Sequence, residues 1–74
     1  MSKVLRSEVE EAVERILGKD VYEALCRSQV SLPRVMDMAV SKCFVQQMTG
    51  PAVHILREGM KILESTGELT NDEA

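Results

Sequence analysis

Apolar residues recur along most of this chain at intervals of three and four positions, and charged residues fill many of the positions between them. Such spacing places the apolar side chains on one face of an α-helix, because successive residues turn by about 100° around the helix axis. The pattern therefore predicts an all-α fold, a compact bundle of three to four short helices. The predicted helices cover residues 7-17, 20-28, 32-48 and 51-65.

The first two predicted helices carry recognisable start and stop signals. Ser7 and Glu10 have the spacing of a capping box, in which a hydroxyl and a carboxylate satisfy free amides at a helix start. Gly18 supplies a stop, and Asp20 with Glu23 repeats the capping-box spacing. The inward side of the first helix is predicted to carry Leu5, Val9, Ala12, Val13 and Ile16, and that of the second helix Val21, Ala24 and Leu25.

Prolines mark the first turns of the two longer helices. Ser31 precedes Pro33, and Thr49 precedes Pro51. A proline is tolerated in a first turn because early helical amides have no partner within the helix, and the serine or threonine two positions earlier can act as a cap. The apolar side of the fourth helix includes Gly59. A mid-helix glycine costs about 1 kcal/mol relative to alanine, so we expect another helix to cross Gly59 at close range.

The third predicted helix differs from the others because it has two apolar sides. The first is an ordinary core stripe, formed by Leu32, Val35, Met36, Ala39, Val40 and Cys43. The opposite side carries Met38, Phe44, Val45 and Met48. A helix that is apolar on every side is expected to be buried on every side, and an uncovered apolar patch is typical of an interface. We therefore predict that these four residues form a protein interface.

The size of the chain favours the same interpretation. Its 74 residues suffice for one domain, which we assign to residues 1-67, with helix 3 central and helices 1 and 4 packed against it. Chains of about 60 residues bury only about 60% of the surface that they expose when unfolded, so self-association would add stability. Residues 68-74 are acidic and lack an apolar period, which predicts a flexible, frayed tail.

A nucleic-acid-binding regulator is the alternative function. Predicted helices 2 and 3 are joined by a short turn, as in a helix-turn-helix, with Arg27, Arg34 and Lys42 as candidate phosphate contacts. Two observations disfavour it. The net charge is −3 with the signs interspersed, and the first turns of helix 3 offer apolar side chains such as Leu32 and Val35 where base edges require polar ones.

Catalytic and metal-dependent functions find little support in the sequence. His54 is the single histidine, and it shares the polar side of helix 4 with Arg57 and Lys61. These three residues are typical of a solvated helix surface. The alternative hypothesis is that they form a weak contact for an anion. Cys26, Cys43 and His54 lack the short ligand spacing of structural zinc sites, and the motifs of known catalytic mechanisms are absent. We predict no enzymatic activity, no cofactor and no metal.

The remaining features concern location. The amino-terminal residues contain no apolar signal region, and the longest apolar runs are three residues, against the roughly 20 needed to cross a bilayer. The two cysteines have no C-x-x-C spacing, which predicts that both remain reduced. We therefore expect a cytoplasmic protein without a membrane partner. The predicted function is a non-catalytic protein-protein interaction or regulatory module, a homodimer or a subunit bound to another protein.

Overall fold

Four α-helices account for most of residues 4–70, which are the residues that this computed structural model describes. They are α1 (Arg6–Leu17), α2 (Lys19–Arg27), α3 (Leu32–Gln46) and α4 (Pro51–Thr66). No strand occurs within the described range, and the radius of gyration is 11.6 Å. The predicted all-α bundle of short helices is thus confirmed, with helix ends within two residues of the predicted ones.

The core lies between α1, α3 and α4, which contact one another pairwise, whereas α2 packs mainly on α1. The predicted central position of helix 3 is therefore wrong, since α1 is the helix that touches all three others. Four of its side chains are buried, and their aliphatic packing excludes water from the centre of the bundle. The most deeply buried large side chains are Met36, Leu56, Val9 and Val13.

Another helix crosses α4 at close range at Gly59, as the sequence predicts, and this helix is α1. A Cβ atom added at Gly59 would lie 2.8 Å from Cγ2 of Val9 and 3.2 Å from Cε of Met36. The first distance is shorter than carbon atoms tolerate, because their favourable separation is about 3.5 to 4.0 Å. Only glycine therefore allows the two helices to approach as they do.

The first helix starts earlier than its predicted capping box. Arg6 is its first residue, and the backbone amide of Leu5 donates a hydrogen bond of 2.9 Å to the Glu8 carboxylate. Ser7 is already inside the helix, so its predicted pairing with Glu10 is wrong. The carboxylate of Glu10 instead lies 3.0 Å from the Arg6 guanidinium, one turn away on the same helix.

Glycines, not the predicted side chains, occupy the starts of α2 and α4. Gly18, at φ 97°, ends α1 and at once precedes the first residue of α2. Because one residue connects the two helices, Asp20 falls within the first turn and makes no capping hydrogen bond. Gly50, at φ 124°, precedes α4, so Thr49 is not its cap either. The positive φ angles explain why glycine is used at both positions.

Two helices end on a glutamine in the left-handed conformation. Gln29 has a φ of 60° and Gln47 a φ of 52°. In each case the amide of the following residue donates a hydrogen bond five positions back, from Val30 to Leu25 at 3.1 Å and from Met48 to Cys43 at 2.9 Å. This is the Schellman arrangement. It ends α3 at Gln46, two residues before the predicted end.

The inward side of α2 is rotated from the predicted one. Tyr22 and Leu25 are half-buried and pack against the core. Val21 is 47% exposed and Ala24 is exposed as well, so these two inward assignments are wrong. The inward side of α2 is therefore formed by Tyr22 and Leu25.

The two ends of the described range meet beside the bundle. Leu5 and Thr70 form an isolated parallel β-bridge, in which the amide of Arg6 donates a hydrogen bond of 2.8 Å to the Thr70 carbonyl. Val4 and Leu69 are both buried next to this bridge. The predicted flexible tail begins at residue 68, yet residues 69 and 70 are held by these contacts. Residues 71–74 of that tail lie outside the described residues.

Gly59→Ala is expected to destabilise the bundle by about 1 kcal/mol. Forcing a methyl group against the fully buried Val9 costs about 1 to 3 kcal/mol, and the better helix propensity of alanine returns about 1 kcal/mol at most. Urea denaturation followed by circular dichroism measures the change. In a Val9→Ala background the same substitution should be neutral or stabilising, because the obstructing methyl groups are gone. A stabilising effect in the native background would contradict the close approach.

Gln29→Gly is expected to stabilise the chain by about 0.5 to 1 kcal/mol. A left-handed conformation costs an L-residue about 1 to 2 kcal/mol, which exceeds the extra backbone entropy that glycine loses on folding. Thermal denaturation of the two proteins at equal concentration tests this. Gln29→Ala retains a Cβ atom and should show no gain, so equal stabilisation by both substitutions would refute the conformational explanation.

Candidate protein interface

The side of α3 that faces away from the core carries three of the four exposed large apolar residues of the described chain, the fourth being Val21 on α2. Phe44 is 81% exposed, Val45 is 78% exposed and Met38 is 44% exposed. At 100° per residue these three lie within an arc of about 120°. Exposed polar residues lie on the same arc. We call this surface the outer face of α3, formed by Arg34, Asp37, Met38, Ser41, Phe44 and Val45.

The packing of the bundle explains why the outer face of α3 is open. The opposite side of α3 is filled by its buried residues, which contact α1 and α4. Since α2 packs mainly on α1, no element within residues 4–70 lies over the outer face. Within residues 4–70, the second apolar side that the sequence pattern predicted for α3 is therefore not covered.

Met48 occupies a different place from the other three predicted interface residues. It follows the left-handed Gln47, so it lies beyond the end of α3, where it is half-buried and packs against the core. Met48 still lines an open depression of about 530 Å³ together with Phe44, Val45 and Arg57. The structure thus brings Met48 to the edge of the apolar surface, with a guanidinium from α4 beside it.

The predicted anion contact is spread along α4. His54 and Arg57 are exposed and line a second depression of about 220 Å³ next to Met48. Lys61 lies further along the helix, where its amine is 3.5 Å from the Glu58 carboxylate. Its charge is therefore partly offset by that carboxylate. Of these three residues, Arg57 is the one placed beside the outer face of α3.

One of the three candidate phosphate contacts, Lys42, is already engaged within the fold. The Lys42 amine donates a hydrogen bond of 2.8 Å to the carbonyl of Ile16, in the last turn of α1. A cation is favourable there because helix carboxyl ends carry partial negative charge. Arg27 lies at the end of α2 and Arg34 near the start of α3, two helices that do not pack as a helix-turn-helix pair.

The cysteines and the histidine are also kept apart. Cys43 is buried in the core, Cys26 is exposed on α2, and both thiols are free. His54 is exposed on α4. Across residues 4–70, no three histidine, cysteine, aspartate or glutamate side chains are grouped so that they could hold a metal ion.

Tyr22 is a residue that the sequence analysis did not single out. Burial raises its pKa to about 12, with smaller contributions from Cys26 one turn away and from the carboxylates of Glu10 and Glu14 on α1. Burial and nearby negative charges both disfavour the tyrosinate form. The sequence does show that α1 has an acidic side, which includes Glu10 and Glu14. Only the packing of α2 on α1 shows that the Tyr22 phenol lies close to those carboxylates.

Comparisons with known proteins add no family and no function. No family model, curated protein or solved structure matches this chain. Among the described helices, none is both long enough and apolar enough to pass through a membrane.

The Tyr22 phenol is expected to titrate near pH 12, above its usual value of 10. The chain has one tyrosine and no tryptophan, so ultraviolet absorbance of the phenolate follows this residue alone. Because the folded pKa is raised, the stability that Tyr22 provides is complete below pH 10 and is lost as the pH rises to 12. Cys26→Ala should lower the pKa only in part, since burial remains. A titration at the usual value in the folded chain would contradict the packing of α2.

Proposed function

We propose that this chain is a non-catalytic protein-protein interaction or regulatory module that self-associates through the outer face of α3, with Met48 at its edge. The observation that carries the proposal is the exposure of Phe44 and Val45, which line the same depression and are each more than three quarters exposed. Single exposed apolar residues are common on protein surfaces. Two adjacent large ones, with Met38 nearby, form a patch of the kind that marks an interface.

The energetics of burial support association of two copies. Burying a large apolar side chain contributes about 1.5 to 3 kcal/mol, so Phe44 and Val45 from both copies together would contribute on the order of 10 kcal/mol. That is comparable with the cost of losing translational and rotational freedom, about 4 to 15 kcal/mol. The remaining contacts of the interface would then set the affinity.

The state of the cysteines supports a cytoplasmic location for this module. Both thiols are free, and Cys43 lies in the core between helices. Disulfides are rare in the reducing cytosol, where buried cysteines act as small apolar residues. Self-association would also provide a means of regulation. A dimer would hide the outer face of α3 and a monomer would expose it, so the concentration of the chain would control how much of this face other proteins could bind.

The nucleic-acid alternative receives less support. Lys42 is engaged with the end of α1, and Arg27 and Arg34 lie on helices that do not pack together. Phosphate-dominated binding depends on clustered cations. Two arginines alone offer little of the affinity that such binding needs.

Phe44→Asp is expected to convert a dimer into a monomer without loss of the fold. Phe44 is almost fully exposed within one chain, so its replacement leaves the core intact, while a carboxylate at the interface would have to lose its water. Sedimentation equilibrium at micromolar to high micromolar concentration measures the molecular mass, and circular dichroism reports the helices.

Val21→Asp is the matched control, because Val21 is another exposed valine but lies on α2. This variant should associate like the native chain. Val9→Asp should instead unfold the chain, since Val9 is fully buried. A native chain that remains monomeric at high micromolar concentration, or a dimer that Phe44→Asp leaves unchanged, would overturn the proposed function.

A further inference from the structure

We propose that residues 68–70 form a strap that can leave the bundle while the helices stay folded, and that the cleft beneath it then accepts an extended, leucine-containing segment of a partner protein. The strap follows Gly67, which ends α4 in the left-handed conformation at φ 87°. The depression beside the strap is lined by no residue of the outer face of α3. This inference therefore does not rest on the proposed self-association.

Two contacts hold the far end of the strap to the rest of the described chain. The side chain of Leu69 is 8% exposed and belongs to the same apolar cluster as Val4 and Leu32. The carbonyl of Thr70 accepts the hydrogen bond of 2.8 Å from the amide of Arg6. Thr70 itself is exposed. The attachment thus depends on one leucine side chain and one backbone hydrogen bond.

These two contacts nearly balance the cost of ordering the strap. Burial of one leucine and one net backbone hydrogen bond are together about as favourable as the loss of conformational entropy in three residues is unfavourable. The helices, in contrast, share the core around Val9, Met36 and Leu56, which are fully buried. Opening of the strap therefore costs much less than unfolding of the bundle, which is the condition for a local opening.

The start of the strap is suited to act as a hinge. The amide of Gly67 donates a hydrogen bond of 2.9 Å to the Leu63 carbonyl, so α4 is ended by a contact within itself. Glycine also tolerates a wide range of backbone angles. Beyond it, Glu68 is exposed, and its carbonyl accepts a hydrogen bond of 2.9 Å from the Thr66 hydroxyl. The chain can therefore turn after Gly67 without unwinding α4.

The strap itself shows what the vacated cleft would hold. Leu69 lines a depression of about 170 Å³ together with Leu32 and Pro33, at the start of α3, and Leu63, in the last turn of α4. An incoming extended segment could place a leucine where Leu69 lies. Its backbone carbonyl could accept the hydrogen bond of the Arg6 amide, which is the recognition mode of strand addition. The strap is then an internal competitor of the partner segment.

Hydrogen exchange of three backbone amides in the full chain tests the opening. The Arg6 amide reports on the strap, because its acceptor is the Thr70 carbonyl. The Val9 amide donates to the Leu5 carbonyl and reports on the first turn of α1. The Leu56 amide lies within α4 at a fully buried residue and reports on the core. Fraying of α1 and unfolding of the bundle can thus each be distinguished from opening of the strap.

After correction for intrinsic rates, the Arg6 amide should exchange at least about tenfold faster than the other two. Its rate should change little with low concentrations of urea, because opening the strap exposes little surface. Val53→Ala is the discriminating variant, since Val53 is buried on α4. It should accelerate exchange of the Leu56 amide by about tenfold and leave the rate of the Arg6 amide unchanged.

A peptide with the sequence of residues 66–70, Thr-Gly-Glu-Leu-Thr, tests the cleft. A short linker gives the attached strap a millimolar effective concentration, so the free peptide should bind in the millimolar range. In the Leu69→Asp chain, whose own strap is no longer apolar, binding should shift the nuclear magnetic resonance signal of the Arg6 amide. The native chain should need about three to ten times more peptide, because its strap competes. The same peptide carrying Leu69→Asp is the control and should cause no shift.

Four results would overturn the proposal. The Arg6 amide could exchange at the rate of the Leu56 amide or follow it in Val53→Ala, which would assign its exchange to global unfolding. It could exchange together with the Val9 amide, which would assign it to fraying of α1. Circular dichroism could show that Leu69→Asp unfolds the helices, or several millimolar peptide could leave the signal of the folded Leu69→Asp chain unchanged. Rapid exchange of the Arg6 amide alone, with binding of the peptide, supports the strap and its cleft.

Discussion

The close approach of α1 and α4 at Gly59 is the constraint on which the rest of the bundle depends. With no side chain at Gly59, the methyl groups of Val9 fill the space where a Cβ atom would be, and Met36 of α3 closes the same region. Side chains from three helices therefore meet at one point. This contact fixes which side of α3 turns inward, and the outer face of α3 is exposed as a direct consequence.

Much of the fold could be predicted because two features of the sequence depend directly on how the helices pack. These features are the helical period of the apolar residues and the position of Gly59. The apolar stripes located all four helices, and the energetic cost of Gly59 indicated a helix crossing. The helix starts were harder to predict. A side chain can cap a helix only when its residue stands just before the first turn in an extended conformation, and Ser7 and Asp20 both lie inside their helices. Gly18 serves two helices at once, so the capping box at Asp20 has no room to form. Whether one glycine ends a helix and also begins the next depends on how the two helices pack, and the local sequence does not reveal that packing.

The candidate interface likewise contains residues whose positions could be predicted from the sequence and one whose position could not. Phe44 and Val45 could be predicted because their placement opposite the core stripe follows from the helical period alone. Met48 could not, because the left-handed turn at Gln47 removes it from the helix. The contact of Lys42 with the Ile16 carbonyl joins residues 26 positions apart, and periodicity carries no information about such distant contacts.

The bridge between Leu5 and Thr70 has a consequence for how the chain folds. Its hydrogen bond from Arg6 to Thr70 closes a loop that contains nearly every described residue. One hydrogen bond contributes only about 1 kcal/mol, which is less than the entropy lost in closing so long a loop. The bridge therefore exists only because the bundle has already brought both ends together, and it follows the formation of the core instead of guiding it.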